Sequence, residues 1–65
     1  MRLKKLRENK GLTQLEVARA IGCSANTYAR YERGEREADY HTLRQLARFF
    51  SEHIDYIIGD DIGEF

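Results

Sequence analysis

The chain has no proline and no tryptophan, only one cysteine, and no apolar run approaching the length of a membrane span. Without proline, the work of ending helices and turning the chain falls to glycine. Cys23 alone cannot close an intrachain disulfide, and no charged stretch leads into a long apolar one as in a secretion signal. The expectation is a soluble cytoplasmic protein. Low-complexity tracts and internal repeats are also missing, so the 65 residues read as one compact unit. A chain this short buries a smaller share of its surface than a longer one does. Its function must sit on the outer surface, since a deep catalytic cleft needs walls on several sides. That argues against an enzyme.

An excess of either charge is missing as well, with 11 basic and 11 acidic side chains. The balance hides a division. Residues 1–36 carry nine Lys and Arg against four Glu, whereas residues 37–65 carry two Arg against seven acids, giving +5 and −5. Such asymmetry is a recognised hint of polyanion binding by the basic half, although solvated helix faces of opposite sign would give the same count.

What the chain does contain is helix signals. Leu3 and Leu6 share one stripe of a first helix from Arg2 to Asn9, which stops at Gly11. Thr13 and Glu16 form the T-x-x-E of a capping box, with Leu12 and Val17 at the two staple positions, so a second helix begins at Gln14. Val17, Ala18 and Ile21 face inward and Gly22 ends it. Ser24 caps a third helix running to about Arg33 and stopping at Gly34. Asp39 caps a fourth, with Leu43, Leu46, Ala47 and Phe50 as its buried stripe and Ser51 or Glu52 at its end. A short fifth helix, Ile54 to Ile58, precedes an acidic tail expected to fray.

Two short helices joined by a three- or four-residue turn containing glycine have the spacing of a helix-turn-helix, whose second helix enters the major groove of DNA. Ala18 sits where the helices cross and only a small side chain fits. Tyr28 and Tyr31 lie on the side of the third helix that packs on the core. These are steric demands and speak for the fold before the function.

Leu12-Thr13-Gln14, Val17-Ala18-Arg19-Ala20-Ile21-Gly22, Tyr31-Glu32-Arg33-Gly34, and Thr42-Leu43 followed by Leu46-Ala47 occur in order along nearly the whole chain. In them the sequence resembles the DNA-binding domain of the phage Cro and C1 repressors, the xenobiotic-response-element family. The resemblance implies an all-α, five-helix, lambda-repressor-like domain over residues 1–59, with 60–65 a short acidic tail. It implies a bacterial or phage-encoded transcription regulator, expected to be a repressor, that binds a pseudo-palindromic double-stranded operator as a homodimer. No cofactor, small-molecule ligand or membrane is expected.

By the same resemblance, Gln14 matches a position that touches a phosphate and braces the recognition helix, a role suited to a helix N-terminus. Ser24, Ala25, Asn26, Thr27 and Arg30 match positions facing the DNA. Asn26 can bond adenine at N6 and N7, and Arg30 can reach guanine O6 and N7 or a phosphate. Ala25 offers contact with a thymine methyl, Ser24 a base contact or a helix cap, and Thr27 a phosphate contact. Arg36, beyond Gly34, is placed for the sugar-phosphate backbone, and Arg7 or Lys10 only if their helix end approaches the duplex. Glu32 reads as structural, paired with a first-helix base such as Arg7.

The sequence departs from the family at Tyr28, where a branched aliphatic is usual. Its ring either fills the core or turns its hydroxyl outward to a phosphate. Leu15, Ala38 and Glu52 depart in surface detail. One recognition helix reads only a few base pairs, which calls for two copies with recognition helices about 34 to 36 Å apart. The family's contact region falls here on Ile54, Tyr56, Ile57 and Phe65, although Ile54 and Ile57 can equally close the core. His41, His53 and Cys23 lack the paired spacing of a structural zinc site, and no residue has a nucleophile motif around it. The rival reading is an antitoxin-like module in which the acidic second half and Ile54 to Ile58 hold a partner protein.

Overall fold

The computed structural model describes the backbone of residues 1–62 and the side chains of residues 1–59. Five helices follow one another: α1 (Leu3–Asn9), α2 (Gln14–Ile21), α3 (Ala25–Arg33), α4 (Tyr40–Phe50) and α5 (Ile54–Ile62). The described residues contain no strand. None of these helices is long and apolar enough to cross a membrane.

Local chemistry sets the boundaries. The Thr13 hydroxyl accepts from the Glu16 amide at 3.1 Å and the Glu16 carboxylate accepts from the Thr13 amide at 2.8 Å, closing the capping box that starts α2. Ser24 and Asp39 cap α3 and α4 by accepting from the amides of Thr27 and Thr42. At the end of α3, Gly34 adopts φ +74°, and this left-handed residue lets the Glu35 amide reach back to the Arg30 carbonyl at 2.9 Å. The closure is a Schellman motif, and it fixes where Glu35 stands relative to the helix.

Ends satisfied in this way let each helix turn one face inward. Leu3, Val17, Ala18, Ile21, Tyr28, Tyr31, Leu46, Phe50 and Ile57 form one buried cluster drawn from all five helices. Leu6, Leu12 and Ala47 pack against it, half-buried, and Leu43 is half-buried too. All five helices are therefore held by the same apolar burial, at roughly 25 cal/mol per Å² removed from water.

Helix α5 departs from expectation. It continues to Ile62 instead of stopping at Ile58, entering the stretch expected to be tail. Gly59 keeps a right-handed conformation, and its missing side chain makes room for Arg2: a Cβ there would stand 2.8 Å from the Arg2 Nη1. Arg2 clasps the helix at three points. Its amide donates to the Ile57 carbonyl at 2.8 Å, its guanidinium donates to the Tyr56 carbonyl at 2.5 Å, and its cationic centre lies 4.3 Å from the centroid of the Tyr56 ring. This clasp joins the chain's second residue to its last helix. Residues 63–65, including the Phe65 expected at a subunit contact, lie outside the described residues.

Candidate nucleic-acid interface

The two sides of α3 differ sharply. Tyr28, Ala29 and Tyr31 are buried, whereas Asn26, Arg30 and Arg33 are exposed. Asn26 and Arg30 are four residues apart and Arg30 and Arg33 three, so all three share one outward face.

Each residue expected at the interface has a definite place. Ser24 is exposed, but its hydroxyl accepts from the Thr27 amide and donates to the Thr27 hydroxyl, each at 3.0 Å, so capping occupies it. Thr27 is half-buried and its hydroxyl is the acceptor in that pair. Ala25 is half-buried in the first turn. Asn26 is exposed and its amide has no hydrogen-bond partner among the described residues. The backbone amides of Ala25 and Asn26 precede the first intrahelical bond and stay open. Arg36 is exposed beyond the Gly34 turn, close enough for its charge to act on the Cys23 thiol in the α2–α3 turn. Burial is the larger influence on that thiol and pushes its pKa up, leaving Cys23 a poor nucleophile at neutral pH.

Gln14 is half-buried at the first position of α2, and its Nε2 donates to Glu32 Oε1 at 3.0 Å. Glu32 also receives Arg7, with Nε to Oε2 at 2.6 Å and Nη2 to Oε1 at 3.3 Å, while Arg7 Nη1 donates to the Leu12 carbonyl at 2.9 Å. The pair is shielded, with 13% of the Arg7 side chain and 3% of the Glu32 side chain exposed. Three helices thus meet at one carboxylate, and the pairing of Glu32 with Arg7 expected from the sequence is present. Arg7 is thereby committed to the fold. Burial pushes the Glu32 carboxyl up, but the donors from Arg7 and Gln14 outweigh it and hold it below the usual carboxylate range.

Tyr28 settles the alternatives left by the sequence. Its ring lies wholly in the core, and its hydroxyl is buried without a hydrogen-bond partner, beside the Glu32–Arg7 pair. Burial, reinforced by the Glu32 charge, raises its pKa well above that of an ordinary tyrosine. A phosphate cannot reach it.

At the far end of α3, sequence reading passed over Glu35. Its carboxylate takes both arms of the Arg33 guanidinium, at 2.8 and 3.2 Å, and lies 4.0 Å from Arg30 Nε. The signal was present in Arg30, Arg33 and Glu35 themselves, but the left-handed turn that folds Glu35 back is what brings them together.

The expected subunit contacts are divided by the structure. Ile57 is completely buried within its own chain, so its side chain is withdrawn from any contact between copies. Ile54 is half-buried and Tyr56 exposed. Between α4 and α5 runs an open groove lined by Tyr40, Arg44, Arg48, Glu52, Ile54 and Asp55. His41, His53 and Cys23 do not converge, and no cluster of metal-ligating side chains occurs among the described residues.

The helix-turn-helix family model matches residues 3–57. The chain belongs to the helix-turn-helix family of Cro and C1 type. Among its relatives, the transcriptional regulator ImmR of Bacillus subtilis is 37% identical over 60 residues, covering 92% of this chain and 47% of the relative. The cryptic phage CTXphi transcriptional repressor RstR of Vibrio cholerae is 36% identical over 59 residues, covering 91% and 53%. The antitoxin PezA of Streptococcus pneumoniae is 36% identical over 59 residues, covering 91% and 37%. The chain spans about half the length, or less, of these relatives. No solved structure matches it.

Proposed function

We propose that this chain is a sequence-specific, double-stranded DNA-binding regulator that acts as a repressor, with α3 docked in the major groove. The observation that carries this reading is the face of α3 that presents Asn26 and Arg30 outward while Tyr28, Ala29 and Tyr31 anchor the opposite face. Asn26 reads a base edge, and Arg30 a base edge or a phosphate. Gln14 sets the second N–H of its Nε2 and the open first-turn amides of α2 beside the sugar-phosphate backbone, and Arg36 adds charge there. Thr27 and Ser24 shape the helix start, and Ala25 contributes apolar contact. The names of the relatives ImmR and RstR favour transcriptional control. The domain is taken as residues 1–59, and the working compartment as the cytoplasm.

Two copies bind a pseudo-palindromic site. Tyr56 and Ile54 contribute to the subunit contact together with the α4–α5 groove, where Arg44 and Arg48 of one copy can meet Glu52 and Asp55 of the other. The test is a mobility shift with a selected operator over a range of salt. Affinity falls linearly on logarithmic axes as phosphate-neutralising side chains release counterions. A flat salt response overturns the mechanism.

The resemblance to the antitoxin PezA favours a second reading, in which the domain mainly holds a partner protein. On that reading, random-sequence duplex gives no shift even at low salt.

A further inference from the structure

Glu35 stands beside the face just assigned to DNA, at the one place on α3 where a carboxylate meets two exposed arginines. Arg33 gives it two hydrogen bonds, and Arg30 Nε lies at 4.0 Å. All three side chains remain open to solvent, with 52% of Glu35, 52% of Arg33 and 44% of Arg30 exposed. Burial therefore does not explain the cluster. Nor does stability, because an ion pair this exposed adds little to folding. Chain entropy does not disperse it either: the Glu35 amide is bonded to the Arg30 carbonyl through the Schellman closure, which holds the carboxylate's origin against the last turn.

The energetic consequence falls on binding. Affinity for a duplex depends on cations free to replace counterions at phosphates, and a guanidinium engaged by a carboxylate must give up that partner first. A carboxylate near phosphates also repels them directly. We propose that Glu35 is an electrostatic attenuator of DNA binding, which occupies Arg33 and partly screens Arg30 and so holds down affinity for DNA of any sequence. It leaves base reading to Asn26 and to an Arg30 that is only loosely held. The competitor it suppresses is the excess of non-specific sites, where charge supplies nearly all the affinity.

This inference rests on the DNA-binding reading, and one experiment separates the two. The wild-type chain, Glu35→Gln and the double variant Glu35→Gln/Arg33→Gln are titrated on a random-sequence duplex and on a selected operator across a range of salt. Glu35→Gln keeps the backbone that closes the helix, and circular dichroism checks that each variant is folded. The single variant binds random duplex roughly 3- to 10-fold more tightly at low salt, and its logarithmic salt slope steepens by about one. Adding Arg33→Gln removes most of that gain. If the wild-type chain binds neither duplex, the DNA reading falls and the attenuator with it. If wild type binds both and Glu35→Gln matches it in affinity and slope, the attenuator alone is overturned. A gain that survives in the double variant overturns the role given to Arg33.

Discussion

Asn26 and Gln14 both belong to the proposed docking surface, yet the losses expected from them differ in kind. Asn26 is free of intramolecular bonds, so Asn26→Ala removes only what it gives to DNA and relaxes preference at one base position, for about 1 to 3 kcal/mol. Gln14 also bonds Glu32, so Gln14→Ala weakens cognate and random sites alike and lowers folding stability slightly. Binding selections on both variants, with thermal melts alongside, read out the contrast; equal losses on cognate and random DNA for both would sink the assignment. Tyr28 offers a test away from the interface. Its buried hydroxyl lacks a partner, so Tyr28→Phe stabilises the fold by about 1 kcal/mol, visible as a melting point higher by roughly 4 to 8 °C, with DNA affinity unchanged. A lower melting point would mean that the hydroxyl is serving the Glu32–Arg7 pair. The sequence left Tyr28 open between core and phosphate because a tyrosine suits both; only the depth of the pocket decides.

Among the elements, the clearest sequence signals were those carried by neighbours along the chain. Thr13 with Glu16, Ser24, Asp39, Gly22 and Gly34 mark the ends of α2, α3 and α4 through bonds spanning a few residues, and the helices begin and end there. The end of α5 lies beyond the expected Ile58 because Gly59 keeps a right-handed conformation, and its missing side chain leaves room for Arg2, a residue distant in sequence. The end of α4 shows an unfavourable local choice. Ser51 takes a left-handed conformation with φ 55°, where a Cβ costs roughly 1 to 2 kcal/mol. Ser51→Gly therefore raises stability by about 0.5 to 1 kcal/mol, a gain that a urea titration resolves. No gain would mean that the freedom glycine adds to the unfolded chain cancels the strain relieved.

For the molecule as a whole, the meeting of α1, α2 and α3 at Glu32 ties stability to pH. A carboxyl held below its usual range in the fold contributes stability that is complete above the unfolded value, near 4.5, and is lost as pH falls through the lower folded value. Urea midpoints are thus steady near neutrality and decline below about pH 4.5, and the decline is shallower in Glu32→Gln. Glu35 and Asp39 are also held low, by Arg33 and by the Thr42 amide, but both are exposed and contribute less. A Glu32→Gln decline as steep as wild type would place the acid sensitivity elsewhere. On α3, the family resemblance pointed to Asn26 and Arg30, which are exposed, and equally to Ala25 and Thr27, which are half-buried. The sequence could not show that Ile57 is spent on the core, or that Glu35 folds back on the arginines, because both depend on how separate helices meet.

The Arg2 clasp gives this small domain an internal reporter. An amide just ahead of a helix ordinarily exchanges with solvent readily, but that of Arg2 is bonded to the carbonyl of Ile57. It can exchange only when α5 lifts away. Its deuterium uptake therefore follows the amides of α5 and not those of neighbouring surface turns, and a slow Arg2 amide marks the time for which the first and last helices stay closed together.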